Sequence, residues 1–162
     1  MMNFLKSLSF LILALILQQT LVRIISIGSI RPDLVMVVLV AVSMRYGSVV
    51  GLFSGLTIGL IQDVYAIEAL GANAMAKCLV GYFTGLLDEK VIKVMPATKV
   101  LFLAVAFLVH DTVYSLAAGF HGMAFWDAML RKTVPSGIYT LLVGSLVFYF
   151  LVAPSKSESF HA

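Results

Sequence analysis

Charge is what this chain has least of. Asp, Glu, Lys and Arg make up 12% of its 162 residues, against about 25% in a soluble domain. With 61% hydrophobic residues and a mean hydropathy of +1.05, it has too few charges to keep a surface in water, which excludes a soluble globular protein. Cysteine is nearly absent: Cys78 is the only one, so no intramolecular disulfide can form. Three histidines, only His110 of them inside an apolar run, give no metal-ligand set. The net charge of +3 is small and scattered, which argues against a nucleic-acid surface. No HExxH, CxxC, GxSxG or P-loop spacing occurs. No nucleophile, base and orienting group fall into a catalytic pattern, so no catalytic residue, metal or cofactor is expected.

What is there is apolar sequence in six blocks, at roughly 4–22, 32–46, 47–65, 69–87, 97–118 and 134–153. About 20 residues cross a bilayer as a helix. The blocks therefore predict an all-α membrane protein, with residues 1–162 as a single integral membrane domain of six transmembrane helices in one bundle. Lys6 followed by the apolar residues 8–17 imitates a signal peptide, but Gln18-Gln19-Thr20-Leu21-Val22-Arg23 offers no small-residue cleavage site. It reads as a retained first helix. Pro32 and Asp33 suit the start of the second helix, where proline is tolerated and an acid complements the positive end of the dipole. Asp88-Glu89-Lys90, with Lys93 and Pro96, forms the one strongly charged loop.

Topology follows from counting bases. With the N-terminus inside, the inner face holds Lys6, Arg45, Lys90, Lys93, Lys99 and Lys156, and the outer face holds Arg23, Arg31, Arg131 and Lys132. That excess places both termini in the cytoplasm. Residues 122–132 are too short to cross. Phe125, Trp126, Met129 and Leu130 would share one helical face, which fits a helix in the outer headgroup layer and leaves open a partner-binding role.

Glycine is placed at every fourth residue through Gly47, Gly51, Gly55 and Gly59, and the next step in the series is Asp63. Glycine weakens a helix in water; in lipid it lets backbones approach closely. Gly81 and Gly85 extend a similar row, from Asn73 and Lys77, on the fourth helix. These glycines read as a packing seam within the chain or as a face for another membrane protein. Steps of four drift around a straight helix, so one neighbour can use two or three of them.

Ions within the spans form a second constellation. Lys77, Asp111 with its neighbour His110, and Asp63 all fall in the outer half, and a charge facing lipid costs at least about 2.5 kcal/mol. They are therefore expected to point inward, with Lys77 pairing with Asp111 or, alternatively, Asp63. Tyr114 shares a helix face with His110. Asn73, Lys77, His110, Asp111 and Tyr114 make up an intramembrane polar cluster, either structural or lining a cavity.

Arg31-Pro32-Asp33-Leu34, Arg45-Tyr46-Gly47, the stepped glycines ending in Asp63, Leu70-Gly71-Ala72-Asn73 and the run from Leu79 through Gly81 and Gly85 to Leu87 together resemble the rod shape-determining protein MreD family. The resemblance covers essentially the whole chain, and its specific part is residues 31–87. It implies Pro32, Asp33, Asp63 and Gly71 as family-motif positions. It also implies a fold similar to the substrate-binding subunits of energy-coupling-factor transporters. The implied role is a non-enzymatic scaffold of the bacterial cell-elongation machinery in the inner membrane, which helps organise peptidoglycan synthesis. The implied main partner is MreC, followed by RodA, a class B penicillin-binding transpeptidase, MreB and membrane lipid. A solute-binding subunit of a small-molecule transporter is the other reading, with the polar cluster lining an outward-facing pocket.

Overall fold

The structure, a computed structural model, describes residues 2–25, 32–65, 69–87, 96–119 and 122–151. Arg31, the charged loop at 88–93, the polar tail at 155–162 and the side chains of Arg23, Phe125 and Lys132 lie outside the described residues. Among the described residues there is no strand. The helices are α1 (Met2–Ile25), α2 (Leu34–Tyr46), α3 (Ser48–Tyr65), α4 (Ala72–Gly85), α5 (Pro96–Ala117), α6 (Met123–Ala128) and α7 (Val134–Leu151). A π-helical turn, Met129–Thr133, joins α6 to α7. Of the described residues, two stretches, Ser48–Tyr65 and Thr98–Ala117, are long and apolar enough to cross a membrane by length and composition.

α2 is the centre of the bundle. Eight of its 13 residues are buried, and α1, α3, α4, α5 and α7 all pack on it. Its run Val35-Met36-Val37-Val38-Leu39-Val40 is rich in β-branched side chains that lose rotamer freedom in a helix. Burial on nearly every side is what holds it helical. Leu11, Ile58, Val80, Leu103 and Phe107 close around it from four other helices. α1 is tied to α3 by a buried hydroxyl pair, Ser7 Oγ to Ser54 Oγ at 2.7 Å.

The outside of the bundle is apolar. Phe10, Phe53, Leu60, Phe83, Leu101 and Leu142 are among many large exposed side chains, whereas Lys77 and Asp63 are 1% and 2% exposed. A soluble protein has the opposite arrangement, since Lys and Asp are almost never fully buried unless paired.

α3 and α4 form the most extensive helix pair, and they run antiparallel along the glycines. A Cβ on Gly51 would overlap the carbonyl oxygen of Gly81, and one on Gly55 would overlap that of Lys77. A Cβ on Gly59 would lie 2.7 Å from the amide nitrogen of Ala74, and one on Gly85 would lie 2.6 Å from that of Ser48. Three successive ridge glycines of α3 thus meet one neighbour, α4 of the same chain. Gly47 has a second duty besides lying against Gly85, where an added Cβ would come 2.7 Å from the Gly47 carbonyl carbon: it sits in the turn between α2 and α3 with φ +90°, and its N–H donates to the Ser43 carbonyl at 2.8 Å. A left-handed backbone favours glycine there, and α3 begins one residue later.

Candidate functional site

The polar residues singled out in the sequence gather at one end of the bundle, where α2 and α4 begin and α3 and α5 end. α2 and α4 have 13 and 14 residues, about 20 Å each at 1.5 Å per residue, and are the short members of the main bundle. Their first N–H groups need acceptors that the helix itself cannot supply.

Carboxylates meet that need twice. Asp33 caps α2, with Oδ1 accepting from the Met36 N–H at 2.9 Å; Pro32, immediately before it, is buried. Gln18 of α1 adds its Oε1 to the Val35 N–H at 3.0 Å, and the Asp33 N–H donates to Thr140 Oγ1 of α7 at 3.0 Å. At α4 the residue before the helix is Gly71, with φ +88° and no side chain to cap with. The cap comes instead from Asp63, in the last turn of α3. Its Oδ1 accepts from the Asn73 N–H and from Asn73 Nδ2, both at 3.0 Å, and its Oδ2 accepts from the Ala74 N–H at 3.0 Å. Each carboxylate faces the partial positive charge of a helix N-terminus, roughly half a unit, which offsets much of the penalty for burying it.

Lys77 lies one turn further along α4. Its Nζ is 2.9 Å from His110 Nε2, 3.4 Å from Asn73 Oδ1 and 3.8 Å from Asp33 Oδ2. This corrects the expected pairing: the carboxylate within ion-pair distance is that of Asp33, while Asp63 is engaged at the α4 cap. Asp111 connects to Lys77 through the imidazole. An ammonium only donates, so His110 Nε2 accepts from it. His110 Nδ1 then carries the proton and donates to Asp111 Oδ1, 3.1 Å away. Thr133, from the π-helical turn, is also hydrogen-bonded to Asp111. Tyr114 stacks on His110, with ring centroids 6.2 Å apart and planes 12° from parallel.

The result is one continuous polar chain from Asp111 through His110 and Lys77 to Asn73, Asp33 and Asp63. It links α2, α3, α4 and α5, with Thr133 and Thr140 attaching the last helix. The chemistry it can perform is cross-linking in a medium without water. Two grooves between helices, about 410 Å³ beside Val80, Phe83 and Val105 and about 170 Å³ beside Phe107, Gly137 and Ile138, are lined almost wholly by apolar side chains.

Removing the α4 cap tests this reading. Asp63→Ala strands two backbone N–H groups and is expected to destabilise the protein by about 2 kcal/mol, the upper range for a lost cap. Asp63→Asn, with one acceptor oxygen, should fall between. Thermal unfolding in detergent checks it, and an Asp63→Ala protein that melts with the parent would deny Asp63 this role.

Sequence reasoning placed Asp63, Lys77 and Asp111 at a common depth but treated Asp33 only as a helix start. The available signal was that α2 and α4 both begin at the same end, which brings Asp33 level with the Lys77 side chain. Gln18, Thr133 and Thr140 carried no signal beyond being polar within or beside apolar runs.

A family model described as rod shape-determining protein MreD matches residues 1–155 of the chain. No curated protein and no solved structure matches, so the likeness to energy-coupling-factor subunits stands on the resemblance alone.

Proposed function

The chain belongs to the MreD family of rod shape-determining proteins, and from that premise we propose that it is a non-enzymatic membrane scaffold of the cell-elongation machinery. In this reading residues 1–162 form one inner-membrane domain of six spans, α1 to α5 and α7, with both termini in the cytoplasm. Its principal partner is MreC, through which it helps organise peptidoglycan synthesis by RodA and a class B penicillin-binding transpeptidase alongside MreB.

The observation that carries the reading is the inverted distribution of side chains. Large apolar groups coat the outside while Lys77, Asp63 and His110 are buried, Lys77 bonded to His110 and linked to Asp63 through Asn73. That suits a body surrounded by lipid, where charges must face inward and find partners. The short helices α2 and α4 fit the same picture, because non-helical backbone within a membrane is tolerated where protein covers it. The glycine seam is taken up by α3 and α4 of this chain. A partner helix would therefore meet the exposed apolar faces rather than the ridge.

The test is purification in mild detergent, with every associated protein and small molecule identified. MreC is expected to accompany the protein at a fixed ratio, and depletion is expected to turn rods into spheres. Recovery with a saturably bound small solute and without MreC would overturn the scaffold reading.

A further inference from the structure

The last helix carries a row of apolar side chains that does not stop where α7 starts. Val134, Ile138, Leu142 and Leu146, four residues apart, are all exposed. Continuing toward the N-terminus through the π-helical turn, the same step of four reaches Leu130 and then Trp126, also exposed. From Trp126 to Leu146 is about 30 Å at 1.5 Å per residue, matching the hydrocarbon thickness of a bilayer. Below Leu130 the row is purely aliphatic; at its outer end it finishes in the chain's single tryptophan, a residue enriched at membrane interfaces.

The charges beside it have a consistent direction. Arg131 Nε bonds Asp127 Oδ1 at 3.0 Å. The guanidinium therefore reaches back one turn toward the outer end of the helix, the course a basic side chain takes when it snorkels to headgroups. α6 makes its main contacts with its own continuation, the π-helical turn. Thr133 closes that turn, buried and bonded to Asp111. It lies seven residues below Trp126, or about 10 Å, so the polar chain would sit about that far below the boundary.

We propose that α6 and the π-helical turn are the outermost part of the last span. Trp126 lies at the boundary between hydrocarbon and headgroups of the outer leaflet, and the Arg131 guanidinium, drawn back one turn to Asp127, reaches up to that boundary. The occupant of this face is lipid, because the face is continuous with the exposed row of α7. The proposal rests on the multi-span reading above and adds where the outer boundary falls.

The single tryptophan makes a direct test. The full chain is reconstituted in phospholipid vesicles, and Trp126 fluorescence is quenched with lipids brominated either near the carbonyls or near the chain ends. Emission blue-shifted from water is expected, with quenching at least about twofold stronger by the shallow bromines. A second variant, Trp126→Phe combined with Ile138→Trp, about 18 Å along the span and close to the bilayer midplane, reports on the span itself and is expected to be quenched best by the deep bromines. If Trp126 is unquenched, or quenched best by deep bromines, while the Ile138→Trp signal is quenched, the boundary placement is overturned and the span stands. If neither is quenched, the span reading falls, and the proposal with it.

Discussion

A Gly55→Leu protein does not assemble its α3–α4 pair, and cells relying on it lose their rod shape. The Cβ of any residue at 55 would overlap the carbonyl oxygen of Lys77, lie 2.7 Å from that carbonyl carbon and lie 3.2 Å from the Cys78 nitrogen. All three atoms are backbone and cannot swing aside. The helices must then separate, and Gly51 and Gly59, which make the same kind of contact one turn away on either side, lose their fit too. Overpacking usually costs about 1–3 kcal/mol. Here a single methyl in Gly55→Ala should reach the top of that range, and leucine should exceed about 4 kcal/mol. The displacement also carries Lys77 away from His110, since the residue Gly55 touches is the one that holds the polar chain.

Gly144→Ala provides the contrast. The added methyl there meets the tip of the Leu103 side chain, with Val37 Cγ2 at 3.3 Å, and a leucine end can rotate. A change under about 1.5 kcal/mol is expected, as for tolerated core substitutions. Unfolding in detergent and microscopy of complemented cells measure both substitutions. Equal stability of Gly55→Leu and the parent would remove the glycine seam from the account of this fold.

The seam itself was readable because it is written in spacing. Small residues at every fourth position can serve only close approach of helices in lipid. The antiparallel opposition of Gly51 to Gly81 and Gly55 to Lys77 then suits two helices that follow one another closely in the chain. Depth was readable in the same way, since apolar runs with marked ends show how far along a helix Asp63, Lys77 and Asp111 lie. Azimuth was not. Which face of α4 turns toward α2 and which toward α5 depends on packing around the central helix, and an apolar run without periodicity does not carry it. That is why Asp33, level with Lys77 and on a touching helix, was missed as its ion partner.

Spacing alone did not show that Gly47 does two jobs: its positive φ belongs to the α2–α3 turn, and its backbone also lies in the seam, where a Cβ on Gly85 would come 2.7 Å from its carbonyl carbon. The π-helical turn at Met129–Thr133 left no trace in the sequence either. It lets Thr133 reach Asp111 while Trp126 and Leu130 stay on the exposed face of the same continuous helix.

Lys77→Met, a substitution of similar length without the charge, is expected to destabilise the protein by about 3–5 kcal/mol, the usual loss when one member of a buried ion pair is removed. It leaves Asp33 facing an apolar stem and His110 Nε2 without its donor. The partner assignment is then testable by rescue. Asp33→Asn keeps the α2 cap, because asparagine caps as well as aspartate, and removes the stranded charge. Combined with Lys77→Met it should recover a substantial part of the loss. Asp111→Asn leaves an oxygen for His110 Nδ1 to donate to, but it removes no charge that Lys77 directly neutralises at 3.8 Å as it does Asp33. It should recover much less. Rescue by Asp111→Asn and not by Asp33→Asn would reverse the assignment. A Lys77→Met protein that folds and melts normally yet fails to support rod shape would show that the polar chain serves something other than holding α2, α4 and α5 together.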